Sequence, residues 1–122
     1  MKTTINISNE DLAYILYSAF ESGSNYWIKK LEYEEPVNFN NTKKEDKKYK
    51  YVSCPLNEGG SVFITDQYDK KSTLNLEKIK TGLKIMTEKY PKTWSRIFSD
   101  NYDANDADVF LQVCLFGETI YG

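Results

Sequence analysis

The sequence predicts an α+β domain, an antiparallel sheet of about four to six strands with two to three helices packed on one face. Three observations predict it. Short β-branched or alternating runs, separated by Asn, Gly and Asp turns, read as strands. Two other stretches carry apolar residues at steps of three and four, the period of a helix. Residues 107–116 (ADVFLQVCLF) are apolar on nearly every side, which marks a helix covered by its neighbours. The 122 residues make one expected domain, 1–122, long enough to bury a core without metal or disulfide staples.

The elements follow in order. Residues 3–7 (TTINI) suit a short strand. Ser8 begins a helix, with Asp11 completing an S-x-x-D capping pattern and Leu12, Ile15, Leu16, Ala19 and Phe20 forming its apolar face. Gly23 is expected to stop it as a left-handed cap. Residues 28–33 can run as a strand ended by Pro36, and 37–48 form a long polar loop. Residues 49–54 alternate and pair in expectation with 61–66 (SVFITD) as a hairpin, the turn being Asn57-Glu58-Gly59-Gly60. A short strand at 72–74 follows. Asn75 caps a helix carrying Leu76, Ile79, Leu83, Met86 and Tyr90, in which Gly82 marks close packing. Trp94, Ile97 and Phe98 fit a short helical piece. Asn105 is expected to start the last helix, with Asp108 completing its cap; Gly117 ends it, and 118–121 add a closing strand.

Composition removes several chemistries. There is no histidine, so the usual general base, zinc ligand and Ser-His or Cys-His pair are missing. Two cysteines, Cys54 and Cys114, cannot form a four-ligand site and read as small core residues. Nucleotide-cradling loops and nucleophile elbows have no match, and no cofactor is implied. The expectation is a protein that is not an enzyme. Sixteen basic against eighteen acidic residues disfavour duplex DNA as the main partner. No run of eighteen apolar residues and no signal-type leader occur, so a cytoplasmic protein with reduced thiols is expected, and no membrane partner.

Candidate binding residues fall in three places. Tyr26 and Trp27 follow a helix stop, where aromatic faces can stack a base, and Asn25 beside them offers the donor and acceptor that read a base edge. The alternative is a Trp27 that plugs the sheet and an Asn25 that satisfies a turn. Asp108 and Gln112 lie one turn apart on the final helix, a polar pair in an apolar setting, fit for a ligand or a structural network. Lys43, Lys44, Lys47 and Lys48 crowd the polar loop and could contact phosphates. Asp100, Asp103, Asp106 and Asp108 crowd another stretch. A calcium loop there fails at Asp106 and Gln112, where glycine and glutamate are needed, so helix capping explains most of these carboxylates.

Two segments resemble a family. Glu21-Ser22-Gly23-Ser24-Asn25-Tyr26-Trp27 is similar to the (E)GGSNYW signature of a set of small phage and prophage proteins, with Ser22 in place of the commoner glycine. Asp106-Ala107-Asp108, Gln112, Leu115-Phe116-Gly117-Glu118 and Tyr121-Gly122 resemble their DAD…Q…LFGE…YG ending. The resemblance covers the two ends and leaves 34–72 unmatched. It implies a viral accessory protein in the cytoplasm of an infected bacterium, of the kind that blocks host defence. The first expectation is a homo-oligomeric counter-defence protein that sequesters a nucleotide-derived immune signal without turnover. Tyr26 and Trp27 would stack the base, Asn25, Asp108 and Gln112 would read polar edges, and lysines 43–50 would close over phosphates. The alternatives are an anti-CRISPR type inhibitor, whose acidic run 100–108 meets the basic channel of a host nuclease, and a nucleic-acid-binding phage accessory protein.

Overall fold

The computed structural model describes residues 7–36 and 47–122, the side chains of 47–49 excepted. The elements are α1 (Asn9–Ser18), a π-helical turn (Ala19–Gly23), β1 (Ile28–Glu34), α2 (Lys47–Ser53), a 3-10 turn (Cys54–Leu56), β2 (Ser61–Asp66), β3 (Lys71–Asn75), α3 (Leu76–Lys89), α4 (Pro91–Phe98) and α5 (Ala104–Phe116). The class is α+β as expected. Among the described residues the sheet has three antiparallel strands, in the order β1-β2-β3, rather than four to six, and five α-helices accompany it. No helix among these residues is long and apolar enough to cross a membrane.

The sheet's register sets its two faces. Leu31 stands opposite Ile64, and Tyr33 opposite Val62, which in turn faces Leu74 on β3. Val62, Ile64 and Leu74 are buried under the helices, while Lys30, Glu32, Glu34 and Lys71 point to the other, exposed face. The expected hairpin of 49–54 with 61–66 is therefore wrong, because β1 takes that place beside β2. Residues 49–53 belong to α2 instead. Val52 and Leu56, four apart, are both buried, and burying them together favours helical turns over the period of two that the side-chain alternation suggested. Tyr51 then packs edge-on against Tyr33 of β1, ring centroids 5.3 Å apart, and Lys50 pairs with Glu35 at 2.6 Å. The expected strand at 3–7 lies outside the described residues save for Ile7, and so does most of the polar loop 37–48.

The helix ends mix agreement and correction. Ser8 Oγ accepts from Asp11 N at 3.1 Å, and Asn75 Oδ1 accepts from Lys78 N at 3.0 Å, so both expected caps form. The last helix begins earlier than expected. Asp103 is its N-cap, and Asp103 and Asp106 hold each other's backbone N–H in a reciprocal capping box. Asp108 is thereby released from capping and turns inward. Gly23 is not a left-handed cap either: α1 continues into the π turn, and Ser24 ends it. Gly23 is needed for proximity, since a Cβ there would sit 2.0 Å from the carbonyl oxygen of Ala104. The close packing expected at Gly82 is present: a Cβ would lie 2.3 Å from Cys114 Sγ.

α5 is the centre of the molecule. It touches α1, the π turn, β3, α3 and α4, and Phe110, Leu111 and Val113 are essentially inaccessible. Complete burial of one such side chain contributes about 1.5–3 kcal/mol. The closing segment 118–121 is not a strand. Its N–H groups turn back onto α5, so no sheet edge holds it.

Candidate functional site

The π turn and the start of α5 come together at Gly23, and this contact brings the two ends of the chain to one place. Asp108 Oδ1 accepts from Ser24 Oγ at 2.7 Å, from Trp27 Nε1 at 2.8 Å and from Gln112 Nε2 at 3.0 Å. Its Oδ2 accepts from Tyr26 Oη at 2.6 Å. Among the described residues no cation takes part. Four neutral donors surround a buried carboxylate, which is how a charge removed from water can be accommodated without an ion pair. Burial, then the adjoining Asp108, pushes the Tyr26 hydroxyl up to about 12.

Gln112 extends the network to residues 118–122. Its Oε1 accepts from the backbone N–H of Ile120 and of Tyr121, both at 2.8 Å. Its Nε2 also reaches Tyr26 Oη and the Tyr121 carbonyl oxygen, each at 3.3 Å. The Tyr121 ring lies flat on Trp27, with centroids 4.8 Å apart and planes 8° apart, and its hydroxyl donates to Asp66 Oδ2 in a short hydrogen bond. Asp66 Oδ1 accepts from the backbone of Tyr68 and Lys70 at 2.8 and 2.9 Å, closing the turn between β2 and β3. The Tyr121 hydroxyl bonded to Asp66 holds that carboxyl below the ordinary carboxylate range. Burial, then Asp66, raises Tyr121 to about 12.

Four of the five expected ligand residues thus converge: Tyr26, Trp27, Asp108 and Gln112. The fifth does not. Asn25 is exposed, and its Nδ2 donates to the Glu21 carbonyl oxygen at 2.8 Å, satisfying the turn. Trp27 is 3% exposed, between Tyr121 and Phe116, and so presents no free face on which a base could stack. Lys43 and Lys44 lie outside the described residues, as do the side chains of Lys47 and Lys48. The sequence reading missed Ser24, Asp66 and Tyr121. Ser24 and Tyr121 stand inside the quoted motifs, and an Asp opening a turn after a strand was the available signal for Asp66.

The acidic run 100–108 divides. Asp106 is buried and takes two bonds from Arg96, Nε at 2.9 Å and Nη2 at 2.8 Å, which lower its carboxyl. Asp108 is buried in the network above. Asp100 and Asp103 alone are exposed, Asp100 with φ of +62°. As a row imitating phosphate spacing the run therefore fails, because two of its four carboxylates face the interior. Burial also pushes the Cys114 thiol well above its ordinary range, so it stays protonated at neutral pH.

A second surface lies on the outer side of α1. Tyr14 and Tyr17, a turn apart, are 59% and 44% exposed, and Phe98 of α4 is 60% exposed. They meet in a hollow of about 230 Å³ with Asp11 and Asp100. On the other side of the two tyrosines a larger hollow, about 580 Å³, runs between α1 and the end of α2, lined by Ala13, Val52 and Leu56 with Glu10 and Ser53. Ser53 Oγ has no hydrogen-bond partner among the described residues. No family model matches this chain, and neither a curated protein nor a solved structure does so.

Proposed function

We propose that the protein is a phage-encoded counter-defence protein that works by binding, without turnover, and that it inhibits a host defence protein by occupying a basic surface of it. Among the modes the resemblance implies, this is the protein-targeting one. The observation that carries it is the ridge of Tyr14 and Tyr17 flanked by two hollows. Exposed tyrosines are among the residue types that dominate protein interfaces, and here they stand beside one mainly apolar hollow, that of Ala13, Val52 and Leu56. Glu10, Asp11 and Asp100 ring the ridge, and among the described residues none of them is engaged in an ion pair. A partner rich in Lys or Arg, such as the nucleic-acid channel of a nuclease, complements that rim and associates faster for it.

The test is cleavage of target DNA by a purified defence nuclease titrated with the protein. Inhibition should be stoichiometric, should weaken with salt, and should fall roughly tenfold or more in Tyr14→Ala/Tyr17→Ala while the melting temperature holds. Unchanged inhibition by the double variant would reject this face. Failure of the native chain to protect phage from any nuclease-based defence in a plaque assay would reject the function.

A further inference from the structure

We infer that residues 118–122 are a displaceable cover over a site for an adenosine-type ligand, and that Tyr121 occupies the place of the base. This goes beyond the docking face proposed above and uses none of its residues.

The contacts of Tyr121 are those a nucleoside makes. Its ring lies parallel to the Trp27 indole at 4.8 Å, the geometry of a stacked base. Its backbone offers Gln112 a donor and an acceptor side by side: the N–H goes to Oε1 and the carbonyl oxygen takes Nε2. A glutamine carboxamide reads the same pair on adenine, where N6–H donates and N7 accepts. The Tyr121 hydroxyl, at the far end of the ring, donates to the Asp66 carboxylate. An acidic side chain beyond the base is the usual acceptor for a ribose hydroxyl. Three separate groups, from the turn ahead of β1, α5 and the end of β2, thus face one segment in the order base face, base edge, sugar.

The cover is held lightly at its near end. It leaves α5 through Gly117, at φ of +79°, and runs without helix or strand. Glu118, Thr119 and Ile120 are exposed, the Thr119 N–H reaches Tyr90 Oη at a long 3.3 Å, and the first firm bond is that of the Ile120 N–H to Gln112 Oε1 at 2.8 Å. Such a segment opens locally at far lower cost than the core beneath it. Beneath it Asp108, Ser24 and Tyr26 hold the Trp27 edge and the Gln112 amide, so the site keeps its shape when uncovered.

Calorimetric titration of Tyr121→Ala with adenosine, guanosine serving as comparison, tests the inference. Removing the ring removes the internal competitor, so Y121A should bind adenosine roughly tenfold or more tightly than the native chain, and in preference to guanosine. A folded Y121A that gives no heat with millimolar adenosine, or that binds both nucleosides equally, overturns it. Hydrogen exchange on the native chain covers the case of a variant that does not fold. Excess adenosine should speed exchange at the Ile120 and Tyr121 amides several-fold, and unchanged exchange overturns the inference.

Discussion

The indole N–H of Trp27 donates to the carboxylate of Asp108 at 2.8 Å, across 81 residues of chain. That bond joins the turn after α1 to the inner face of α5. Trp27 is fixed at its edge by Asp108 and at its face by Tyr121.

Asp108→Ala should therefore cost more than an ordinary buried polar substitution. It strands the buried donors of Ser24 and Trp27 together, and each buried unsatisfied group costs about 1–3 kcal/mol; Tyr26 and Gln112 lose a partner as well. A loss of about 3 kcal/mol or more is expected in urea unfolding. Asp108→Asn keeps one acceptor oxygen and should lose less. Equal, small losses for both would show that the network contributes little.

Asp106 and Arg96 give an acid-side prediction. The Arg96 hydrogen bonds depress the Asp106 carboxyl in the folded state. A depressed carboxyl stabilises the fold above its unfolded value, near 4, and that stability is lost as pH falls through the folded value. Arg96→Ala should lower stability at pH 7, to an extent limited by the 48% exposure of the Arg96 side chain. The difference from the native chain should shrink on acidification below about pH 4. A difference constant from pH 7 to pH 2 would contradict this.

Two tyrosines give the alkaline counterpart. Tyr26 and Tyr121 are both raised to about 12 from the ordinary value of 10.0. A raised folded value means the neutral hydroxyl is favoured in the fold, so its stabilisation is present below pH 10 and disappears between about 10 and 12. The melting temperature should fall over that window, and Tyr26→Phe combined with Tyr121→Phe should flatten the fall. Spectrophotometric titration at 295 nm should show two tyrosines ionising late.

Gly82→Ala tests the contact of α3 with α5. The new methyl would meet Cys114 Sγ at 2.3 Å, and overpacking of a filled core costs about 1–3 kcal/mol despite alanine's better helix propensity. Gly82→Ala with Cys114→Ala removes the Sγ contact and leaves Cys114 Cα at 2.8 Å, so it should recover only a small part of the loss. An additive double variant would show that the two positions do not compete for space.

Apart from α2, which reads as a strand, the helices are legible in the sequence because their signals are local. Ser8 with Asp11, Asn75 ahead of Leu76, and Gly117 all act within one turn of chain. The strand partners are not legible in this way. β2 was identified but paired with the wrong segment, since pairing depends on which face of residues 28–34 or 49–54 meets Val62 and Ile64, a contact between distant parts of the chain. The residues of the candidate site divide along the same line. Asp108 and Gln112 announce themselves as polar groups in an apolar helix, and Trp27 by its position after a helix stop. Their partnership with Ser24, Asp66 and Tyr121 is visible only once the chain ends meet.

What the sequence by itself determined is the α+β class, the N-caps of α1 and α3 and the covered, central position of residues 107–116, because propensity, capping and apolar period are properties of neighbouring residues. The tertiary structure decided the rest. It turned 49–53 from strand to helix by burying Val52 beside Leu56, shifted the α5 cap to Asp103, and so freed Asp108 to meet Trp27. Each of these outcomes depends on which surfaces are removed from water together, and that is fixed only when the whole chain packs.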